Sequence, residues 1–204
     1  MTNNASLQQR RVAAVPRGVG NAYAIYAERA SNAEIVDVEG RRLIDFAGGI
    51  AVLNTGHCHP KVVAAVKDQL EKFTHTCFMV TPYEQAVLLG EKLCRITPVP
   101  APKRVFLTNA GAEAVENAIK IARHYTGRPG IVAFAGGFHG RTFMGMSLTG
   151  KVQPYKAGFG PMMNDVWHLP FPNDLHGVSS DDALAALDRM FKADVDPARV
   201  AAII

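Results

Sequence analysis

The chain has 204 residues, 48% of them hydrophobic and 20% charged, which is the composition of an ordinary globular protein with room for one α/β domain and part of another. Its formal charge of +4 is spread along the sequence without a block of like charges, so nucleic acid is not expected as a partner, while anionic substrates stay open. No apolar stretch is long enough to span a bilayer and the start, MTNNASLQQRR, lacks the apolar core of a signal peptide, so no membrane association is expected and the expected compartment is the cytoplasm.

Residues 35 to 46, IVDVEGRRLIDF, hold two β-type runs around Glu39-Gly40 and predict a hairpin, after which Gly48 and Gly49 break the pattern. His59-Pro60 opens a helix whose Val62, Val63, Val66 and Leu70 share one face, with proline near the first position, where a missing N–H costs nothing. Thr81-Pro82-Tyr83-Glu84 matches a capping box, with Thr81 as N-cap, and predicts a helix to about Ile96, before Pro98. Val105, Phe106 and Leu107 read as a short strand. Val115, Ala118, Ile119 and Ala122 then recur at i, i+3, i+4 and i+7, so a helix follows. Beyond Gly127 and Gly130 come a strand, IVAF at 131 to 134, a glycine-rich loop, AGGFHGR at 135 to 141, and an apolar run at 143 to 148. Residues 152 to 180 are rich in Pro, Gly and aromatics and read as irregular surface; Asp181 to Lys192 is helical. RVAAII, closing at Ile204, reads as a buried strand that stops without turn or polar tail, as if cut there. Strands alternating with helices predict an α/β fold with a mainly parallel sheet.

Two stretches carry chemistry. At the corner between the strand at 105 to 107 and the helix after it, Ala110, Gly111 and Ala112 have no bulk. Their N–H groups stand at the positive end of a helix, where a phosphate would be held; an ordinary βα turn remains the alternative on these residues alone. In the loop after the next strand, Phe138 offers a ring for stacking, His139 a proton donor or acceptor, and Arg141 a bidentate grip on a carboxylate, against the alternative of a core Phe, a surface His and a solvated Arg. His57, Cys58, His59, His75 and Cys77 lack metal-site spacing, so no metal is expected. The three cysteines, the third being Cys94, form no CxxC pair and fit reduced thiols. Neither a Walker pattern, GxGxxG nor G-x-S-x-G occurs.

"VEGRRLIDFAGGIAVLNTGHCHPKVVAAVKDQL", "HTCF", "TNAGAEAVENAIKIAR" and "GGFHGRT" stand in the order and approximate spacing of the class III aminotransferases, and "PRGVG" and "LTGKVQPYKAGFGP" extend the resemblance over nearly the whole chain. The resemblance implies fold type I and pyridoxal 5'-phosphate as cofactor. It implies phosphate binding at Ala110, Gly111 and Ala112, where many members have Ser or Thr in place of Ala112. Phe138 would stack on the cofactor ring with His139 following it, Arg141 would bind the substrate carboxylate, and Ile50 would line the substrate pocket. The implied reaction moves the distal amino group of 4-aminobutyrate, or of a similar ω-amino acid such as 5-aminovalerate, to 2-oxoglutarate. Succinic semialdehyde and glutamate would be the products from 4-aminobutyrate, and the implied assembly is a homo-oligomer.

Residues 1 to 57 would then belong to the small domain and residues 58 to 204 to the first part of the large, cofactor-binding domain. The Schiff-base lysine of the family would lie beyond Ile204, since Lys103, Lys120 and Lys151 occupy other motif positions, and the chain by itself is expected to be inactive. Two alternatives stay open at this point: an aminomutase or racemase of the same family, and a non-catalytic chain that associates with a full-length partner.

Overall fold

A computed structural model describes residues 2–204. By internal contacts the chain forms two units, Met1–Ala86 and Val87–Ile204.

The first unit opens with helix α1 (Asn4–Ala14), held by a capping box in which Asn3 accepts the Ser6 N–H and Ser6 Oγ accepts the Asn3 N–H. Strands β1 (Ala27–Ser31), β2 (Glu34–Asp37) and β3 (Arg42–Ile44) form an antiparallel meander. The hairpin predicted around Glu39-Gly40 is the β2–β3 pair, and Gly40 supplies the left-handed residue of its turn, with φ of 83°. Asp37, fully buried, ties these elements together. Its carboxylate accepts hydrogen bonds from the Arg41 side chain at 2.7 Å, from Asn4 Nδ2 at 3.0 Å, and from the Glu39 and Arg41 backbone N–H groups.

Short helix α2 (Gly48–Ala51) follows, then α3 (Pro60–Leu70), whose Val62, Val66 and Leu70 lie exposed. Helix α4 (Glu84–Ile96) contains the boundary between the units. It starts at Glu84, not with Thr81 as its cap: Thr81 closes the preceding turn, giving its N–H to the Cys77 carbonyl and taking the Thr76 hydroxyl on its own carbonyl.

In the second unit, Val105 to Leu107 form no strand, because no neighbouring strand among the described residues pairs with them. Helix α5 (Gly111–Thr126) ends on Gly127 in the left-handed conformation, with φ of 67°. Strand β4 (Gly130–Phe134), helix α6 (Phe143–Leu148), strand β5 (Val166–Leu169), helix α7 (Ser180–Ala193) and strand β6 (Val200–Ile203) complete it. The sheet runs β5-β4-β6, all parallel. The α/β fold and parallel sheet expected from the sequence are thus present. Segment 152–180, read as irregular, contains β5, and β6 is half-buried rather than buried because it takes β4 on one side only. Side chains alternate across β4. Ile131 and Ala133 pack with Ile119, Met144 and Leu148, while Val132 packs with Leu169, Met190 and Val195, so helices cover both faces.

Burial by itself would raise the Asp37 pKa, but the hydrogen bonds from Arg41, Asn4 and Glu39 outweigh it and hold the group at about 2. A depressed carboxylate stabilises the fold fully above its ordinary value of 3.8, and that contribution is lost as pH falls through about 2. Asp37→Asn is expected to lower the urea midpoint at pH 7 and to flatten the loss of stability between about pH 4 and pH 2. Urea titrations across that range measure it, and equal slopes for both proteins would show that Asp37 does not couple folding to protons.

Candidate functional site

Within the second unit, the two stretches singled out in the sequence meet. Helix α5 begins after Ala110, which is extended (φ −148°, ψ 155°) and has no side-chain oxygen to cap the helix. The N–H groups of the first turn are therefore left without a capping side chain at the positive end of the helix dipole. Glu113, in that first turn, bends back to accept the Asn109 N–H at 2.8 Å.

Strand β4 delivers the loop that faces this corner. Its end is stitched to β5 by Phe134 pairing with Leu169 and by the Ala135 N–H on the Leu169 carbonyl at 2.7 Å. Gly140, with φ of 108°, lies so close to α5 that a Cβ on it would stand 2.6 Å from the Ala112 Cβ. Main chain and small side chain thus touch where any larger residue would fill the corner. Phe138 keeps 54% of its surface exposed, with the Tyr155 ring tilted against it at 5.0 Å between centroids. His139 is partly buried; burial, and secondly the nearby His168, lower its pKa, which favours the neutral imidazole. Arg141 is exposed and forms no ion pair among the described residues.

Ala110, Gly111, Ala112, Phe138, His139 and Arg141 therefore belong to one unit, with Ala112 and the 138–141 loop joined through Gly140. Ile50 belongs to the first unit, where it lies 91% exposed in a left-handed turn, φ 61°, that runs from Gly48 to Ala51. That turn is braced by Asp45, whose carboxylate accepts the Ala47 and Gly48 N–H groups and pairs with His57 Nε2 at 2.8 Å. Asp45 has its pKa lowered first by His57 and then by the Gly48 N–H. Thr149 and Tyr155 stand in the stretch "LTGKVQPYKAGFGP" and His168 beyond it; none was singled out, because no periodicity or spacing marks them and only folding brings them to the loop.

An uncapped helix start lies against a glycine loop at the carboxyl end of a parallel strand, the place where open α/β sheets put their ligands, and the Phe138 ring stands half-exposed on that loop. The family described as Aminotransferase class-III matches residues 14–204, and the chain belongs to that family. It is 58% identical over 201 residues to 5-aminovalerate aminotransferase DavT of Pseudomonas putida, covering 98% of this chain and 47% of that protein. It is 53% identical over 204 residues to 4-aminobutyrate aminotransferase GabT of Escherichia coli, covering 100% of this chain and 48% of that protein. Among solved structures, the taurine:2-oxoglutarate aminotransferase of Bifidobacterium kashiwanohense, in complex with PLP and glutamate, superposes with a TM-score of 0.85 at 26% identity, covering 100% of this chain and 48% of that one. The chain spans about half the length of the curated relatives it matches. Its parallel sheet with flanking helices is the α/β arrangement of fold type I.

Gly140→Ala puts a Cβ into the Ala112 contact and into a backbone conformation that L-residues avoid at a cost of about 1–2 kcal/mol. It is expected to weaken pyridoxal phosphate binding by about ten-fold or more in the natural protein, read by absorbance titration. Wild-type affinity would mean that the corner and the loop do not act together.

Proposed function

We propose that this chain carries the cofactor-phosphate and substrate-carboxylate sites of an aminotransferase that uses pyridoxal 5'-phosphate. The reaction moves the distal amino group of 4-aminobutyrate, or of a similar ω-amino acid such as 5-aminovalerate, to 2-oxoglutarate. One observation carries the reading: the uncapped start of α5 lies in contact, through Ala112 and Gly140, with the loop that bears Phe138, His139 and Arg141. The first-turn N–H groups at Gly111 and Ala112, with Ala110 before them, bind the phosphate. Phe138 would lie against the pyridine ring, with the Tyr155 ring tilted beside it at 5.0 Å between centroids. His139, kept neutral at pH 7 by burial, serves as a hydrogen-bonding group rather than as a cation. Arg141, which forms no ion pair among the described residues, grips the substrate carboxylate with two parallel N–H donors. The bound cofactor supplies an electron-withdrawing ring to the carbon that carries the amino group.

Several coarser assignments travel with this reading: residues 1–57 in the small domain, 58–204 opening the large domain, a homo-oligomer, and a cytoplasmic enzyme. No helix is long and apolar enough to cross a membrane among the described residues. The names of the relatives are those of amino-group transferases, which supports transfer over the aminomutase or racemase alternative.

Arg141→Ala tests the carboxylate role. Loss of a charge-assisted bidentate contact costs on the order of 2–3 kcal/mol, about 30- to 150-fold in kcat/KM. In the natural protein the loss is expected with 4-aminobutyrate and 5-aminovalerate and not with an amine lacking a carboxylate. Equal losses on both kinds of substrate would sink the assignment.

A further inference from the structure

Thr149 is polar, fully buried and unused by the reading above. It follows α6 directly, and its hydroxyl donates to the Gly145 carbonyl at 2.8 Å, the local bond by which a threonine at a helix end satisfies its O–H. That bond leaves the oxygen free to accept, and it accepts the backbone N–H of His139 at 3.1 Å. Backbone bonds beside it repeat the link: the Gly136 N–H meets the Gly150 carbonyl at 3.1 Å and the Gly150 N–H meets the Gly137 carbonyl at 2.8 Å. Contact is too close for side chains here. A Cβ on Gly150 would stand 2.4 Å from the Gly136 nitrogen, and one on Gly145 would stand 2.8 Å from the His139 carbonyl oxygen. The strap from Gly145 to Gly150 is anchored in turn by His168, whose Nε2 lies 3.0 Å from the Leu148 carbonyl, and by Lys156, whose Nζ donates to the Ser147 carbonyl at 3.3 Å.

We infer that Thr149 is a positioning residue for the cofactor: its hydroxyl fixes the His139 N–H and thereby the directions in which Phe138, His139 and Arg141 leave the loop. The inference rests on the reading of that loop as part of the cofactor site. Glycines at 136, 137 and 140 make the loop pliable, and the two backbone bonds act before His139, so the threonine hydroxyl supplies the tie at the functional residue itself. Valine has the same outline without the hydroxyl and would leave that N–H unpaired.

The natural protein is compared as wild type, Thr149→Val, Thr149→Ser and Phe138→Ala, with pyridoxal phosphate titrated into each and hydrogen exchange at the His139 amide followed without cofactor. In Thr149→Val the amide is expected to exchange about ten-fold faster and the pyridoxal phosphate Kd to rise about ten-fold, with both restored in Thr149→Ser. Should Thr149→Val fail to fold, Thr149→Ala carries the same comparison. A wild-type Kd in Thr149→Val alongside a weakened one in Phe138→Ala overturns the positioning role and leaves the loop as a cofactor site. Wild-type Kd values in both variants remove the cofactor reading of the loop, and the inference with it. A loss in Thr149→Ser equal to that in Thr149→Val assigns the effect to packing and likewise overturns the role.

Discussion

The second unit is organised by the burial of β4. Ile131, Val132 and Ala133 have no exposed surface, and they send side chains alternately into two cores, one under α5 and α6 and the other under α7. A slip of one residue along β4 would exchange those cores, so the register against β5 and β6 is set by packing as well as by hydrogen bonds. The end of β4 is thus a fixed point. The loop from 135 to 141 begins there, while Ile119 of α5 packs beneath Ile131, so strand, helix start and loop share one rigid base.

What stands on that base is built largely from main chain. Gly140 meets Ala112, Gly145 meets the His139 carbonyl, and Gly150 meets Gly136, each at a distance that excludes a Cβ. Such contacts bring N–H groups close to one another and to any ligand, which suits an oxyanion better than a metal ion, whose ligands would be carboxylates, imidazoles or thiolates. The same closeness explains the small residue at Ala112. A serine or threonine there would add a hydroxyl donor but also bulk against Gly140; with alanine the corner offers only backbone N–H groups.

Elements carried by local chemistry were legible in the sequence, and those carried by distant partners were not. Helix α5 declares itself by its apolar spacing, α7 by its own, and the β2–β3 hairpin by a turn residue that needs a positive φ. Strand β5 has four residues in a stretch of Pro, Gly and aromatics and becomes a strand only through its pairing with β4. Val105 to Leu107 fail for the converse reason, being β-prone residues with no ladder to join among the described residues. Thr81 shows how a matching local pattern loses to a competing turn, since Cys77 takes its N–H. The site followed the same division. Gly111, Phe138 and Arg141 sit in a motif, but the Gly140–Ala112 contact and the Thr149–His139 bond join separate elements, and no spacing reveals them.

Electrostatics give the site its preference. Burial lowers the pKa of His139, His168 and Lys156, and the neighbouring charge of Lys156 lowers His168 further, although the Leu148 and Thr149 carbonyls pull it partly back. With both imidazoles biased toward neutrality, the positive features of the corner and the loop are the start of α5 and the guanidinium of Arg141, with the Lys156 ammonium held on the Ser147 carbonyl beside them. Glu113 opposes them, but its carboxylate is turned onto the Asn109 N–H, which spreads its charge away from the open N–H groups of the corner. Two separate positive features suit a ligand pair with a phosphate at one end and a carboxylate at the other, as the proposed cofactor and ω-amino acid together present. Because His139 titrates below its ordinary value of 6.5, its charge appears only on the acid side of neutrality. Through the neutral range, the attraction for anions therefore rests on the helix dipole and on cations such as Arg141, not on His139.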